Sequence, residues 1–272
     1  MSIEVFLILF GVGIAAGILS GLFGVGGGII IVPSLIAVYS FIGFQSPYAV
    51  HIAIVTSLFT IIFTSTSSAW KHSSHNNVLW TAALLIGFSS SLTVFIFSKL
   101  AIALPGDVLK KVFSAILIII GIKMLFEKNS GSDGDDENFN PAGINKLYCG
   151  AIGILVGIIA AFTGLGGGIF VIPLMHYIIK VPIKKAIGSS ATAIFITSVS
   201  GVISYFINSP EGANTMKYSF GMVDTISAIP IVLASIPFAQ AGVVLHKKTR
   251  SNLLKKLFAG LILIVSIKML FF

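Results

Sequence analysis

One pattern, present twice, constrains what this chain can become more than any other feature. Gly24-Val25-Gly26-Gly27-Gly28 is followed by four β-branched residues, Ile29 to Val32, and then by Pro33. Gly164-Leu165-Gly166-Gly167-Gly168 is followed by Ile169, Phe170, Val171 and Ile172, and then by Pro173. Each copy of G-x-G-G-G-x4-P sits inside strongly apolar sequence. In a bilayer such a stretch cannot be an ordinary loop. Unpaired backbone groups cost several kcal/mol each in lipid, so the break must be buried in protein or face a wet cavity. Matched Gly/Pro interruptions in two halves of a membrane chain point to a transporter's binding site.

The composition places the chain in a membrane. Of 272 residues, 56% are hydrophobic and 10% charged, and the mean hydropathy is +1.04; a soluble domain carries about 25% charged residues. The net charge of +8 is not a nucleic-acid signal, because the basic residues fall in short clusters between apolar spans, where the positive-inside rule puts them. The single cysteine, Cys149, excludes an internal disulfide and a cysteine metal cage. The N-terminus lacks a basic n-region and an A-x-A site, so residues 1–22 read as a first membrane segment rather than a signal peptide.

The apolar stretches predict an all-α fold, a polytopic transmembrane helical bundle of ten segments. Five lie at about 3–23, 28–44, 47–70, 78–99 and 105–126, and five at 147–162, 167–179, 182–207, 220–245 and 253–272. Several approach the ~20 residues that span a bilayer, whereas 28–44 is short enough to be half of a re-entrant hairpin. Residues 1–126 thus form a first repeat and 147–272 a second. Residues 127–146, with Asp133, Asp135, Asp136 and Glu137, read as a solvated linker without a complete calcium-loop pattern.

The halves align beyond the glycines. Ala53-Ile54-Val55-Thr56-Ser57 falls on Ala186-Ile187-Gly188-Ser189-Ser190, and Thr64, Ser65 and Ser67 fall on Thr197, Ser198 and Ser200. Leu109-Lys110-Lys111 matches Leu254-Lys255-Lys256, and Ile122-Lys123-Met124-Leu125-Phe126 matches Ile267-Lys268-Met269-Leu270-Phe271. Five segments per half is an odd number, so the expectation is two inverted repeats with Gly-broken, discontinuous or re-entrant helices. Twelve of the 17 Lys and Arg residues then fall on one side, which puts the linker in the cytoplasm and both termini outside.

The duplicated motif, the A-x-x-[TS]-S segment after it and the chain length resemble the sulfite exporter (TauE/SafE) family, also called the 4-toluene sulfonate uptake permease family, over essentially the whole chain. The resemblance implies transport of small anions across the cytoplasmic membrane, especially sulfur oxyanions, sulfonates and related carboxylates. It does not select one substrate, a direction or a coupling ion.

The residues suggest how an anion would be held. A helix that starts after a glycine break leaves its first N–H groups without intrahelical partners and carries about half a positive charge, so the starts near Gly27-Gly28 and Gly167-Gly168 are two anion-binding ends. The candidate substrate-binding residues are Gly24, Gly26, Gly27, Gly28, Gly164, Gly166, Gly167 and Gly168, with Pro33 and Pro173 structural. The competing role for the glycines is close helix packing. Thr56, Ser57, Ser189 and Ser190 add hydroxyls that either donate to the anion or bond a carbonyl one turn back. His51, whose repeat position is Lys184, either packs at an interface or attracts an anion and couples transport to H+. His72, His75 and His246 read as solvated. Asp224 reads as interfacial, and as functional if it lies deeper. No metal site or cofactor is expected, and the partners are a small anion and the lipid bilayer. No P-loop, G-x-S-x-G or H-E-x-x-H pattern occurs, which argues against ATP hydrolysis or intramembrane catalysis. A passive anion channel and a small-carboxylate transporter of the same architecture remain alternatives.

Overall fold

The computed structural model describes residues 2–126, 144–210 and 219–248, with positions 260, 263 and 266. The expected linker 127–146, up to residue 143, and almost all of the expected segment 253–272 lie outside the described residues. In chain order the elements are α1 (Ile3–Phe23), α2 (Gly28–Phe41), α3 (Ala49–Ser73), α4 (Trp80–Ala103), α5 (Gly106–Phe126), α6 (Lys146–Thr163), α7 (Gly168–Ile178), α8 (Ile183–Ile207), the two-residue strands β1 (Ser219–Phe220) and β2 (Val223–Asp224), and α9 (Thr225–Lys248).

Six of the described helices are long and apolar enough to cross a membrane: α1, α3, α4, α6, α8 and α9. The protein is a multi-pass helical membrane protein, as the composition predicts. With 14 and 11 residues, α2 and α7 reach only about 21 and 17 Å at 1.5 Å per residue, short of the ~30 Å hydrocarbon core. The ninth segment begins at Thr225 rather than at residue 220. Ser219 and Phe220 pair antiparallel with Asp224 and Val223, and the Asp224 carboxylate accepts from Ser227 N–H at 3.2 Å, which caps α9. Asp224 is buried, and Tyr39 donates its hydroxyl to it at 3.2 Å.

The bundle is apolar outside and hydroxyl-rich inside. Large side chains such as Leu7, Phe88, Leu92, Ile154, Ile203 and Leu233 are exposed, whereas Thr56, Ser57, Thr64, Ser90, Thr197 and Ser235 are fully buried. That distribution suits a lipid surround, because lipid gives no hydrophobic gain for burying leucine but a strong reason to pair hydroxyls inside.

The two halves exchange helices. The main partner of α1 is α9 and that of α6 is α4, while α3 and α8 pack on each other at the centre. The α1–α9 contact is made by Gly13, Gly17 and Gly21 against the backbone at Ile231, Ser235 and Ala239, so the two helices run in the same direction. The α6–α4 contact repeats this with Gly153 and Gly157 against Ile86 and Ser90. Hydroxyl pairs follow the same rule. Thr64 bonds Ser235 across α3–α9, and Thr197 bonds Ser90 across α8–α4. Ser67 donates to Ile236 O and Ser200 to Ser91 O, both at 2.8 Å. Gly188, near the start of α8, abuts His72 at the end of α3, and Gly201, farther along α8, abuts Leu58 near the start of α3, so α3 and α8 are antiparallel.

Candidate functional site

Each glycine run is a helix stop followed at once by a helix start. α1 ends in a left-handed cap at Gly24 (φ 60°), whose N–H bonds Ser20 O at 2.8 Å. Gly26 and Gly27 keep positive φ (74° and 83°), and α2 starts at Gly28 with Gly27 O accepting from Ile30 and Ile31. The second run repeats the geometry: Gly164, Gly166 and Gly167 have φ of 66°, 63° and 80°, and Gly167 O accepts from Phe170 and Val171. Only glycine takes such angles at little cost. Pro33 and Pro173 lie inside α2 and α7. Lacking an N–H, each frees the carbonyl four residues back, at Ile29 and Ile169.

The two runs touch. A Cβ on Gly28 would stand 3.0 Å from Leu165 Cα, and one on Gly168 would stand 2.7 Å from Val25 Cα, so backbone meets backbone. The side chains of Ile61 and Ile194, from equivalent positions of α3 and α8, close over Gly26 and Gly166. Among the described residues, the N–H groups of Gly26, Gly27, Gly166 and Gly167 find no hydrogen-bond acceptor. All four glycines are buried. Buried N–H groups are nearly always paired, and leaving one unpaired costs about 1–3 kcal/mol. A cluster of them, from two helix starts that meet, could donate several hydrogen bonds to one acceptor.

The hydroxyls divide. Ser57 donates to Gly164 O at 3.0 Å and Ser190 to Gly24 O at 2.8 Å, so each third helix holds the glycine run of the opposite half. Thr56 accepts from the N–H of Asp224 at 2.9 Å, and Ser189 from that of Leu79 at 2.8 Å; both donors directly precede a helix, α9 and α4. These four side chains are therefore engaged with backbone, though not with the carbonyl one turn back except for Ser189, which also donates to Lys185 O. His51 is buried, its Nε2 lying 3.2 Å from Ala101 O and 3.1 Å from Leu104 O, and so it clasps the end of α4.

One residue that the sequence does not single out lies beside the glycine runs. Ser198, one turn beyond Ile194, is fully buried and its hydroxyl has no partner among the described residues. That oxygen lies 2.9 Å from where a Cβ of Gly166 would stand. Its repeat mate Ser65 is instead satisfied by Ile61 O at 2.6 Å. The pairing of Ser65 with Ser198 is visible in the alignment of halves, but which of the two keeps a free hydroxyl is not.

His72 and His246, read as solvated from their positions at segment ends, are buried instead. Their rings pack 5.6 Å apart and reach the last carbonyls of α1. Sequence periodicity places them near span ends; the packing of α1 between α3 and α9 covers them.

The chain is similar in sequence to known membrane transporter proteins. Residues 9–269 match the family described as sulfite exporter TauE/SafE. A probable membrane transporter protein of Methanocaldococcus jannaschii is 30% identical over 265 residues, covering 95% of this chain and 93% of its own. One from Haemophilus influenzae is 29% identical over 258 residues, covering 95% of each chain, and one from Bacillus subtilis is 24% identical over 278 residues, covering 98% and 97%. No solved structure matches the chain.

Proposed function

The chain belongs to the sulfite exporter TauE/SafE family of membrane transporters, and we propose that it carries a small sulfur oxyanion or organosulfonate, bound where the two glycine runs meet, by secondary transport with alternating access. The observation that carries this reading is the buried cluster of N–H groups at Gly26, Gly27, Gly166 and Gly167, flanked by the hydroxyl of Ser198, all without a hydrogen-bond partner among the described residues. A sulfonate or sulfite head is compact, anionic and presents three oxygens. Backbone N–H groups at helix starts satisfy such a head without burying a lysine. Ser57 and Ser190 serve the site indirectly, by holding the carbonyl faces of the two runs so that their N–H faces stay free.

Proteoliposomes loaded with unlabelled sulfite should accumulate external labelled sulfite by counterflow, whereas an ohmic anion current without counterflow would favour a passive channel. Ser198→Ala separates site from scaffold. Ser198 makes no side-chain hydrogen bond among the described residues, so thermal stability should stay unchanged, while loss of a hydrogen bond to an anion, worth roughly 1.5–3 kcal/mol, should weaken sulfite binding about tenfold or more. Unchanged affinity would place the anion elsewhere.

The same reading takes residues 1–126 and 147–272 as inverted repeats joined by a cytoplasmic linker, on the antiparallel α3 and α8 and the lysine distribution. A reporter fused within 131–137 should register the cytoplasm and one after Phe272 the outside. Both on one side would end the inverted arrangement.

A further inference from the structure

We propose that His72 and His246 form a proton-binding site that loads together with the anion, which makes the transported unit an anion with a proton. This rests on the anion site proposed above. His72 Nε2 lies 3.1 Å from Gly21 O, and His246 Nδ1 lies 2.9 Å from Leu22 O. A carbonyl only accepts, so each of these nitrogens carries the hydrogen. The other nitrogen of each ring, His72 Nδ1 and His246 Nε2, is then a bare base. Both are buried and without a partner among the described residues. In the other half, the place that His72 takes against α1 is taken against α6 by Tyr205, which donates to Ala161 O at 2.7 Å and cannot serve as a base. The pair is therefore a device of one half only.

Its surroundings define what it can bind. α1 presents carbonyls of its last turn, an end that favours positive charge. The turn after α3 brings His75, and α8 brings Lys184, each close enough to act on the pair electrostatically. The acids of the described helices are remote. Glu4 and Asp224 stand at the beginnings of α1 and α9, whose far ends hold the pair, and Asp107 follows Gly106, which packs on Val50 at the beginning of α3. Among the described residues, a proton on either ring thus meets cations and no carboxylate to offset its charge. The two rings hold the last carbonyls before Gly24, where the run that offers its N–H groups to an anion begins. Ile187 and Ser190 of α8 rest on Gly24, and Gly188 between them abuts His72, so one short segment touches both sites. An anion at the glycines supplies the missing counter-charge, and by reciprocity the proton tightens the anion.

The test uses the full chain in detergent and methanesulfonate, an anion whose charge does not change between about pH 5.5 and 7.5. Calorimetric titrations in buffers of different ionisation enthalpy should show a proton taken up on binding, with affinity rising by up to about tenfold per pH unit lowered. His72→Gln and His246→Asn each retain a donor for the α1 carbonyl and remove the base. The two substitutions together should abolish proton uptake and flatten the pH profile while methanesulfonate still binds. Wild-type binding that is independent of pH and takes up no proton overturns the coupling and leaves the anion site standing. So does a double variant that keeps the wild-type pH profile. Absence of methanesulfonate and sulfite binding at every pH removes the anion site itself, and the coupling with it.

Discussion

Gly168→Ala is expected to abolish anion binding and to destabilise the protein by about 1–3 kcal/mol, the usual range for overpacking a tight core. The added methyl group would lie 2.7 Å from Val25 Cα and against the end of Ile194. Ile194 can turn aside, but Val25 is backbone of the opposite glycine run and can yield only if the two runs part. Gly168 has an ordinary helical φ, so the effect isolates the contact between the runs from the conformational strain that alanine at Gly167 would add. Gly28→Ala should act in the same direction with a smaller effect, because its nearest backbone neighbour, Leu165 Cα, is at 3.0 Å. Gly11→Ala, with nothing within 4 Å, is the control. The measurements are sulfite affinity and the thermal unfolding midpoint. Lowered stability with undiminished affinity would make the runs a packing device and move the anion site elsewhere.

Gly21→Leu is expected to prevent assembly of the native bundle. Even a Cβ at Gly21 would strike Ala239 O and stand 2.6 Å from Val243 N and 2.8 Å from Gly242 C. All three are backbone atoms of α9, so no side-chain rotation relieves the clash. The reverse side is as tight, since a Cβ on Gly242 would stand 3.0 Å from Gly21 Cα. Separating α1 from α9 would also pull Gly21 O from His72 and Leu22 O from His246. The alanine variant should cost about 3 kcal/mol or slightly more, and the leucine variant should be recovered only as aggregate on size-exclusion chromatography. Gly150→Leu, on α6 with only Ser89 Oγ at 3.8 Å from its Cβ position, should be tolerated. A monodisperse, thermally stable Gly21→Leu protein would show that the α1–α9 contact does not hold the halves together.

The glycine runs, the prolines beyond them and the spans flanking them are legible without coordinates. Those features depend on local chemistry, namely positive φ at glycine, the missing N–H of proline, and the length of apolar sequence a bilayer demands. The start of α9 falls later than hydropathy places it because a hairpin of two two-residue strands precedes it, and hydropathy does not distinguish a buried strand residue such as Val223 from a helical one. The hydroxyls of Thr56, Ser57, Ser189 and Ser190 stand out as polar positions in α3 and α8, but their partners do not. Ser57 meets Gly164 across 107 residues and Thr56 meets Asp224 across 168, and periodicity within one helix carries no information about a partner that far away.

That this chain is a helical membrane protein can be read from residue order, and so can the expectation of a duplicated chain interrupted at two glycine runs, because each follows from residue type over a few turns. The choice of partners belongs to the folded bundle. Packing placed α1 on α9 and α6 on α4 rather than within their own halves, brought the two runs into backbone contact, left Ser198 free while satisfying Ser65, and buried His72 and His246 against the end of α1. Lipid rewards any apolar face alike, so hydropathy cannot select partners. In its place, the fit of small residues against backbone and the pairing of buried polar groups choose which helices meet.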